Sequence, residues 1–239
     1  MVETGDEAAA LLRERLALVG PLREEMVRLP RSGCQIEISR PGDTDALLDQ
    51  AAGDPEQHLP YWAELWPSGI ALADEIALAP YLVAGRRVLE LGSGLGLTVG
   101  MALVAGAVVV AADYAPEALL LCRLNARRIA GREPFVLGLN WRNPDPELFA
   151  LANDGFPVVL AADVLYESRD VAPLLELVGQ VVAPGGLLWL AEPGRPPAAR
   201  FLEAAAEQGW SGVSNDHVGP WPDEKDAGVV VHVHRLWRR

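Results

Sequence analysis

A chain of 239 residues, half of them hydrophobic, is long enough for one domain with a sizeable core and too apolar for a disordered protein. Its formal charge of −13 argues against nucleic-acid binding, which leans on Lys and Arg to neutralise phosphates, and suits cationic ligands. The apolar runs break at Gly, Asp or Pro well before the ~20 residues a bilayer span requires. Met1–Gly20 lacks the basic start and apolar block of a secretory signal, and Cys34 and Cys122 are too far apart to suggest a disulfide framework or zinc motif. A soluble cytoplasmic protein is expected.

Leu11, Leu12, Leu16 and Val19 recur at helical spacing among charged residues, so residues 6–29 read as an amphipathic helix or helix pair broken near Gly20-Pro21. Gln35–Ser39 alternates like a short strand, and Pro41–Asp54 is polar and acidic, as a surface segment would be. An aromatic cluster, Pro60-Tyr61-Trp62 and Trp66-Pro67-Ser68-Gly69, precedes a helix over 70–79. From Arg87 onward strand and helix alternate, the pattern of a parallel sheet covered on both faces. The strands are placed at 87–91, 107–112, 134–139, 157–162, 186–191, about 210–217 and 228–236, the helices at 96–105, 115–130, 170–182 and 196–208. Only a turn-rich stretch, Gly219 to Asp223, separates the last two strands, which are therefore expected to pair antiparallel at one edge. The chain divides into an N-terminal helical extension with a short strand (1–59) and an α/β domain (60–239).

The first strand of that domain runs into Val88-Leu89-Glu90-Leu91-Gly92-Ser93-Gly94-Leu95-Gly96, with glycine at every second place after the carboxylate of Glu90. Such a loop lets backbone approach a ligand closely, because no Cβ intervenes and positive φ is allowed. A carboxylate two residues before the first glycine favours a ligand carrying a cationic amine over one bringing only a pyrophosphate, and S-adenosylmethionine (SAM) fits that description. A dinucleotide fingerprint, G-x-G-x-x-G/A, would require a small residue where Leu97 stands. A tight strand-to-helix turn without a ligand is the alternative. The second strand ends in Asp113, about 20 residues past the glycines, where nucleotide-binding α/β folds place the acid for a ribose hydroxyl pair; Asp113 is equally placed to cap the following helix.

Seven strands with a reversed final hairpin, together with Glu90-x-Gly92-x-Gly94-x-Gly96, resemble the class I SAM-dependent methyltransferases over about residues 60–239. The resemblance implies a Rossmann-like, seven-stranded, mostly parallel sheet with an antiparallel last strand and helices on both faces. A narrower likeness is to the seven-strand protein-lysine methyltransferases. It rests on Pro60-Tyr61-Trp62-Ala63-Glu64-Leu65-Trp66-Pro67-Ser68-Gly69 ahead of the core, on Asn140-Trp141 where that group usually has Asp-Trp, and on Asp163-Val164-Leu165-Tyr166-Glu167, which matches its D-x-x-Y signature. Glu192-Pro193-Gly194-Arg195 is similar to the corresponding turn of the electron-transfer flavoprotein β-subunit lysine methyltransferases in that group.

On that resemblance Glu90 and the loop Gly92, Ser93, Gly94 and Gly96 would hold the methionine part of SAM, Asp113 the ribose, Trp141 the adenine face and Asn140 its edge. Trp66 and Ala162 complete the expected cofactor set, Tyr61, Trp62 and Glu192 the acceptor set. Tyr61, Trp62 and Trp66 would wall an acceptor channel or form a lid packing the N-terminal segment on the sheet. Asp163 would orient an acceptor amine and Tyr166 close the pocket over it. A lysine must arrive neutral to attack, which from a pKa of about 10.4 costs roughly 4 to 5 kcal/mol at pH 7; a nearby carboxylate raises an amine pKa, so Asp163 cannot generate the neutral form. His232 and His234 share a strand face, but no third ligand has suitable spacing and no metal is expected. The reaction implied is methyl transfer from SAM, giving S-adenosylhomocysteine, to a protein lysine. A small-molecule N- or O-methyltransferase and a catalytically silent SAM-binding partner protein are the alternatives. No nucleic-acid or membrane partner is expected.

Overall fold

Val-, Leu- and Ala-rich runs bounded by Gly, Asp and Pro cannot expose either face to water, and they build a central parallel sheet. The computed structural model describes residues 5–51 and 59–238. Helix α1 (Gly5–Arg15) and a short 3-10 turn lead to a hairpin of β1 (Leu22–Arg28) and β2 (Gln35–Pro41), then α2 (Thr44–Ala51). After α3 (Pro67–Leu78) come β3 (Arg87–Leu91), α4 (Leu97–Val104), β4 (Val108–Asp113), α5 (Pro116–Ala130), β5 (Phe135–Gly138) and α6 (Pro146–Ala152). Then follow β6 (Phe156–Ala162), α7 (Val171–Val181), β7 (Val182–Glu192), α8 (Pro196–Glu207), β8 (Trp210–His217) and β9 (Val231–Arg238). The seven-stranded sheet has the order β5-β4-β3-β6-β7-β9-β8. β9 is antiparallel to both its neighbours, so β8, not β9, forms the edge.

Alternate side chains divide the interior into two cores. Val88, Val109 and Val158 face one side, with α3, α4, α5 and the apolar residues of α1, β1 and β2 (Leu12, Val27, Ile38). Leu89, Leu91, Val110 and Leu188 face the other, with α6, α7 and α8. No helix among the described residues is long and apolar enough to cross a membrane.

Two expectations need correction. The second half of the stretch 6–29 is strand β1, not helix: Leu22, Met26 and Leu29 imitate a helical stripe, yet Leu22–Arg28 pairs residue by residue with Gln35–Pro41 across a turn carrying Gly33 at φ 72°. Long-range pairing overrides the local pattern, and Met26 is left exposed. The segment 41–54 is mostly surface among its described residues but not throughout: it carries α2, whose Leu47 is buried; residues 52–54 lie outside the described set. Helix α6 has no counterpart among the sequence-based elements. Its Asp145 cap accepts a hydrogen bond from Glu147 N at 2.8 Å and Pro146 opens the first turn.

Buried Glu75 of α3 ties three distant parts of the chain together. It accepts hydrogen bonds from Arg31 Nη1 (2.8 Å), from His217 Nε2 (3.1 Å) and from Arg235 of β9. Burial alone would raise its carboxyl pKa, but the His217 hydrogen bond and the Arg235 charge hold it down at about 2. A carboxylate depressed in the folded state contributes stability above its unfolded pKa and loses it as pH falls through the folded value. Glu75→Gln is therefore expected to cost about 3 kcal/mol at pH 7 and to flatten the loss of stability between about pH 4.5 and 2, both read from urea unfolding across pH.

Candidate functional site

The carboxyl ends of β3, β4 and β6 surround a cavity enclosing about 700 Å3, its open mouth included, at the edge where open α/β sheets bind ligands. The loop after β3 starts it. Gly92, Gly94 and Gly96 have φ of 71°, 45° and 77°, and Gly92 N and Ser93 N donate to Ala112 O of β4 at 2.9 and 3.0 Å. At Gly96, which caps α4, a Cβ would lie 2.7 Å from Cys122 Cα of α5; at Gly92 it would lie 2.9 Å from Val164 and 3.8 Å from the Trp141 ring. These glycines are set by crowding as well as by φ.

Asp113 fastens this loop. Its Oδ2 accepts from Gly94 N at 2.9 Å and its Oδ1 from Ala115 N at 3.1 Å, so it binds the loop and starts α5 at once. Burial pushes its carboxyl up to about 6, against those backbone hydrogen bonds. Glu90 is 1% exposed. Thr98 Oγ1 donates to its Oε1, while Oε2, which is buried too, has no hydrogen-bond partner. Burial pushes Glu90 up to about 8, the Thr98 bond opposing and the Asp113 charge adding.

Aromatic side chains form the other wall. Tyr61 packs edge-on against Tyr166 (5.2 Å between centroids, 70°) and against Trp66 (6.1 Å, 71°), and Trp66 Nε1 donates to Tyr61 O at 2.8 Å. Burial raises the Tyr166 hydroxyl pKa. Between this wall and the glycine loop sits Asp163, just past the end of β6, at φ 57°, a left-handed conformation uncommon outside glycine. Asp163 N donates to Ala191 O at 2.9 Å, its Oδ2 accepts from Ser68 Oγ at 3.1 Å, and its Oδ1 accepts from Arg195 Nη1. The Arg195 guanidinium also lies 5.7 Å from the Trp66 ring centroid.

Tyr61, Trp62, Trp66, Glu90, Gly92, Ser93, Gly94, Gly96, Asp113, Trp141, Ala162, Asp163 and Tyr166 all line this one cavity. Asn140 lines a smaller adjoining one with Tyr114, Trp141, Arg142 and Tyr166, and its Oδ1 accepts from Arg142 N at 3.0 Å. Glu192 stands apart: it is buried at the end of β7, held by Gly194 N (2.6 Å) and His234 Nε2 (3.1 Å). His234 also contacts Ser214 Oγ at 2.6 Å, and His232 contacts Asp216 at 2.7 Å. Thr98, Ser68 and Arg195 escape a reading of the sequence, although Ser68 and Arg195 lie inside motifs it singles out. Their partners are 8, 95 and 32 residues away.

A family model described as lysine methyltransferase matches residues 61–207. The electron transfer flavoprotein beta subunit lysine methyltransferase of Rattus norvegicus is 35% identical over 141 residues, 57% of this chain and 52% of that protein. The histone-arginine methyltransferase METTL23 of Xenopus laevis is 33% identical over 119 residues, 48% of this chain and 49% of its own. The chain thus spans about half the length of the curated relatives it matches. Among solved structures, the Thermus thermophilus 16S rRNA N2 G1207 methyltransferase superposes with a TM-score of 0.59 at 17% identity, covering 91% of this chain and 51% of that one. The N-methyltransferase NodS of Bradyrhizobium japonicum, in complex with S-adenosylhomocysteine, gives 0.57 at 16% identity, covering 81% and 96%. At such identities these two likenesses establish the fold: the seven-stranded α/β arrangement of the class I methyltransferases.

The crowding at Gly96 sets a test of the loop. Gly96→Ala must move the α5 backbone at Cys122 and strain a positive φ, and is expected to destabilise by about 2 to 4 kcal/mol, seen as a lowered denaturation midpoint.

Proposed function

Because this chain belongs to the lysine methyltransferase family, we propose that it transfers a methyl group from SAM to a lysine side chain of a protein. The observation that carries this reading is one cavity joining an unsatisfied buried carboxylate oxygen (Glu90), a glycine loop and an aromatic wall that ends on Asp163. Burying a carboxylate oxygen without a partner is costly, and a ligand ammonium satisfies it. The residues therefore fit SAM: Glu90 and the loop backbone would hold its amino-acid end, and Trp141 and Asn140 its adenine. Asp113 would serve the ribose with the acceptor capacity its backbone hydrogen bonds leave. When bound, SAM would supply an electrophilic methyl group on its sulfonium, open to in-line attack by an acceptor lone pair with the neutral thioether as leaving group, so that positive charge would pass from sulfur to nitrogen.

This chain's residues contribute orientation and exclusion of water. Trp62 and Trp66 line the approach, Tyr61 and Tyr166 narrow it over the acceptor, and Asp163 accepts an amine hydrogen beside its bonds to Ser68 and Arg195. Glu192 supports this wall from below the turn that carries Arg195. The same reading takes residues 60–239 as the catalytic domain, since the family match begins at residue 61, with 1–59 as an extension. It takes no nucleic acid as partner, given the net charge of −13, and places the protein in the cytoplasm, where two unpaired cysteines are at home.

Two experiments test the proposal. Incubation with methyl-labelled SAM and a fractionated lysate of the host is expected to label lysine in a protein band. Asp163→Asn, which tolerates the left-handed backbone, is expected to lower that labelling by about a hundredfold while leaving SAM affinity within a few-fold. Label confined to the small-molecule fraction would overturn the protein-lysine assignment. Since Glu90 titrates near 8 and must be ionised to pair with the ligand ammonium, SAM affinity is expected to rise nearly tenfold per unit from pH 6 to 7.5. Calorimetry on Glu90→Gln is expected to show weaker binding without that slope.

A further inference from the structure

An acceptor pocket ending on a bare carboxylate would work against its own chemistry. A carboxylate within about 4–6 Å of an amine favours the ammonium and raises the amine pKa by about 1–3 units, whereas only the neutral amine has a lone pair to give. Asp163 is not bare. Its Oδ1 is engaged by Arg195 and its Oδ2 by Ser68, and its side chain is 5% exposed, so Arg195 is its close counter-charge. Arg195 cannot release its proton in this range, and its position is fixed twice more, by the Trp66 face and by its place as the N-cap residue of α8.

Resting on the lysine-acceptor reading, we propose that Arg195 is a positioning residue whose guanidinium neutralises Asp163, so that the pocket takes up the acceptor as the neutral amine. The carboxylate then retains its use as a hydrogen-bond acceptor, since two oxygens offer about four sites and only two are used. It no longer acts as an uncompensated anion that would hold the acceptor in its unreactive form. The pair delivers direction without net charge, and the proton leaves to solvent before the amine docks. Among the described residues, the other ionisable groups near this position include Tyr61 and Tyr166, Glu64 on the cavity wall, Asp226 from the turn before β9, His232 beside Gly194, and Glu90 and Asp113 toward the cofactor end. All are retained when Arg195 alone is replaced, so a comparison of variants isolates its charge.

The probe is n-butylamine, an unreactive stand-in for the lysine side chain, titrated calorimetrically onto the protein saturated with S-adenosylhomocysteine. Wild type is expected to bind it more tightly as pH rises from 7 to 10, by nearly tenfold per unit, because the neutral form is selected. Arg195→Met is expected to bind it at least tenfold more tightly than wild type at pH 7 and to lose or reverse that slope, because Asp163 now holds the ammonium. Arg195→Lys, which restores the charge, is expected to restore the slope. A melting curve and the S-adenosylhomocysteine affinity, both unchanged, show that Arg195→Met remains folded. An unchanged pH slope in Arg195→Met, or no amine binding to any variant, overturns the inference. A wild type with the expected slope that labels no lysine refutes the acceptor assignment and leaves the electrostatic role of Arg195 standing.

Discussion

Four neighbouring strands each end in a buried carboxylate, and the site is organised by how each is satisfied. Glu90, Asp113, Asp163 and Glu192 stand at or beside the carboxyl ends of β3, β4, β6 and β7 and are all less than a tenth exposed. Anions out of water must be paired or hydrogen-bonded. Asp113 is served by backbone N–H groups, Glu192 by His234 and Gly194 N, and Asp163 by a hydroxyl and a guanidinium. Only Glu90 keeps an unused oxygen. The three satisfied acids hold the loop, the turn before α8 and the aromatic wall in place; the fourth keeps an oxygen without a partner.

That division explains why the site has two ends of different character. Toward Glu90 and Asp113 burial raises both carboxyl pKa values, so the uncharged forms are favoured there. Toward Asp163 the charge is compensated by Arg195 within the chain itself, and the surrounding surface is aromatic.

The N-terminal elements support this arrangement from outside it. Buried Asn125 of α5 donates to Ser39 O of β2 and to Leu95 O of the glycine loop, each at 2.8 Å, and accepts from Ser39 N at 2.7 Å. One amide thus braces the loop against the hairpin. Asp74 of α3 accepts from Arg31 N (2.7 Å) and Ser32 N (2.8 Å) at the hairpin turn, beside the Glu75 cluster that reaches β8 and β9. α3 begins at Pro67, immediately after Trp66, so the strut that holds the sheet's far side also carries the start of the aromatic wall.

What the sequence by itself determined is what short-range physics writes into it. Buried strands appear as apolar runs of five to seven residues, the loop as alternating glycines, and Asp113 and Asp163 as acids at the ends of such runs, whereas Tyr166 is marked only by the D-x-x-Y resemblance. Strand β1 and helix α6 were not legible, the first because its apolar spacing imitates a helix until β2 supplies a partner, the second because seven residues carry too little periodicity. Tertiary structure alone decided that Arg195 and Ser68 share Asp163, that Glu90 has an oxygen to spare, and that β9 inserts between β7 and β8. Each of these depends on contacts between residues far apart in the chain. Local propensity carries no record of which distant group will reach a buried charge first.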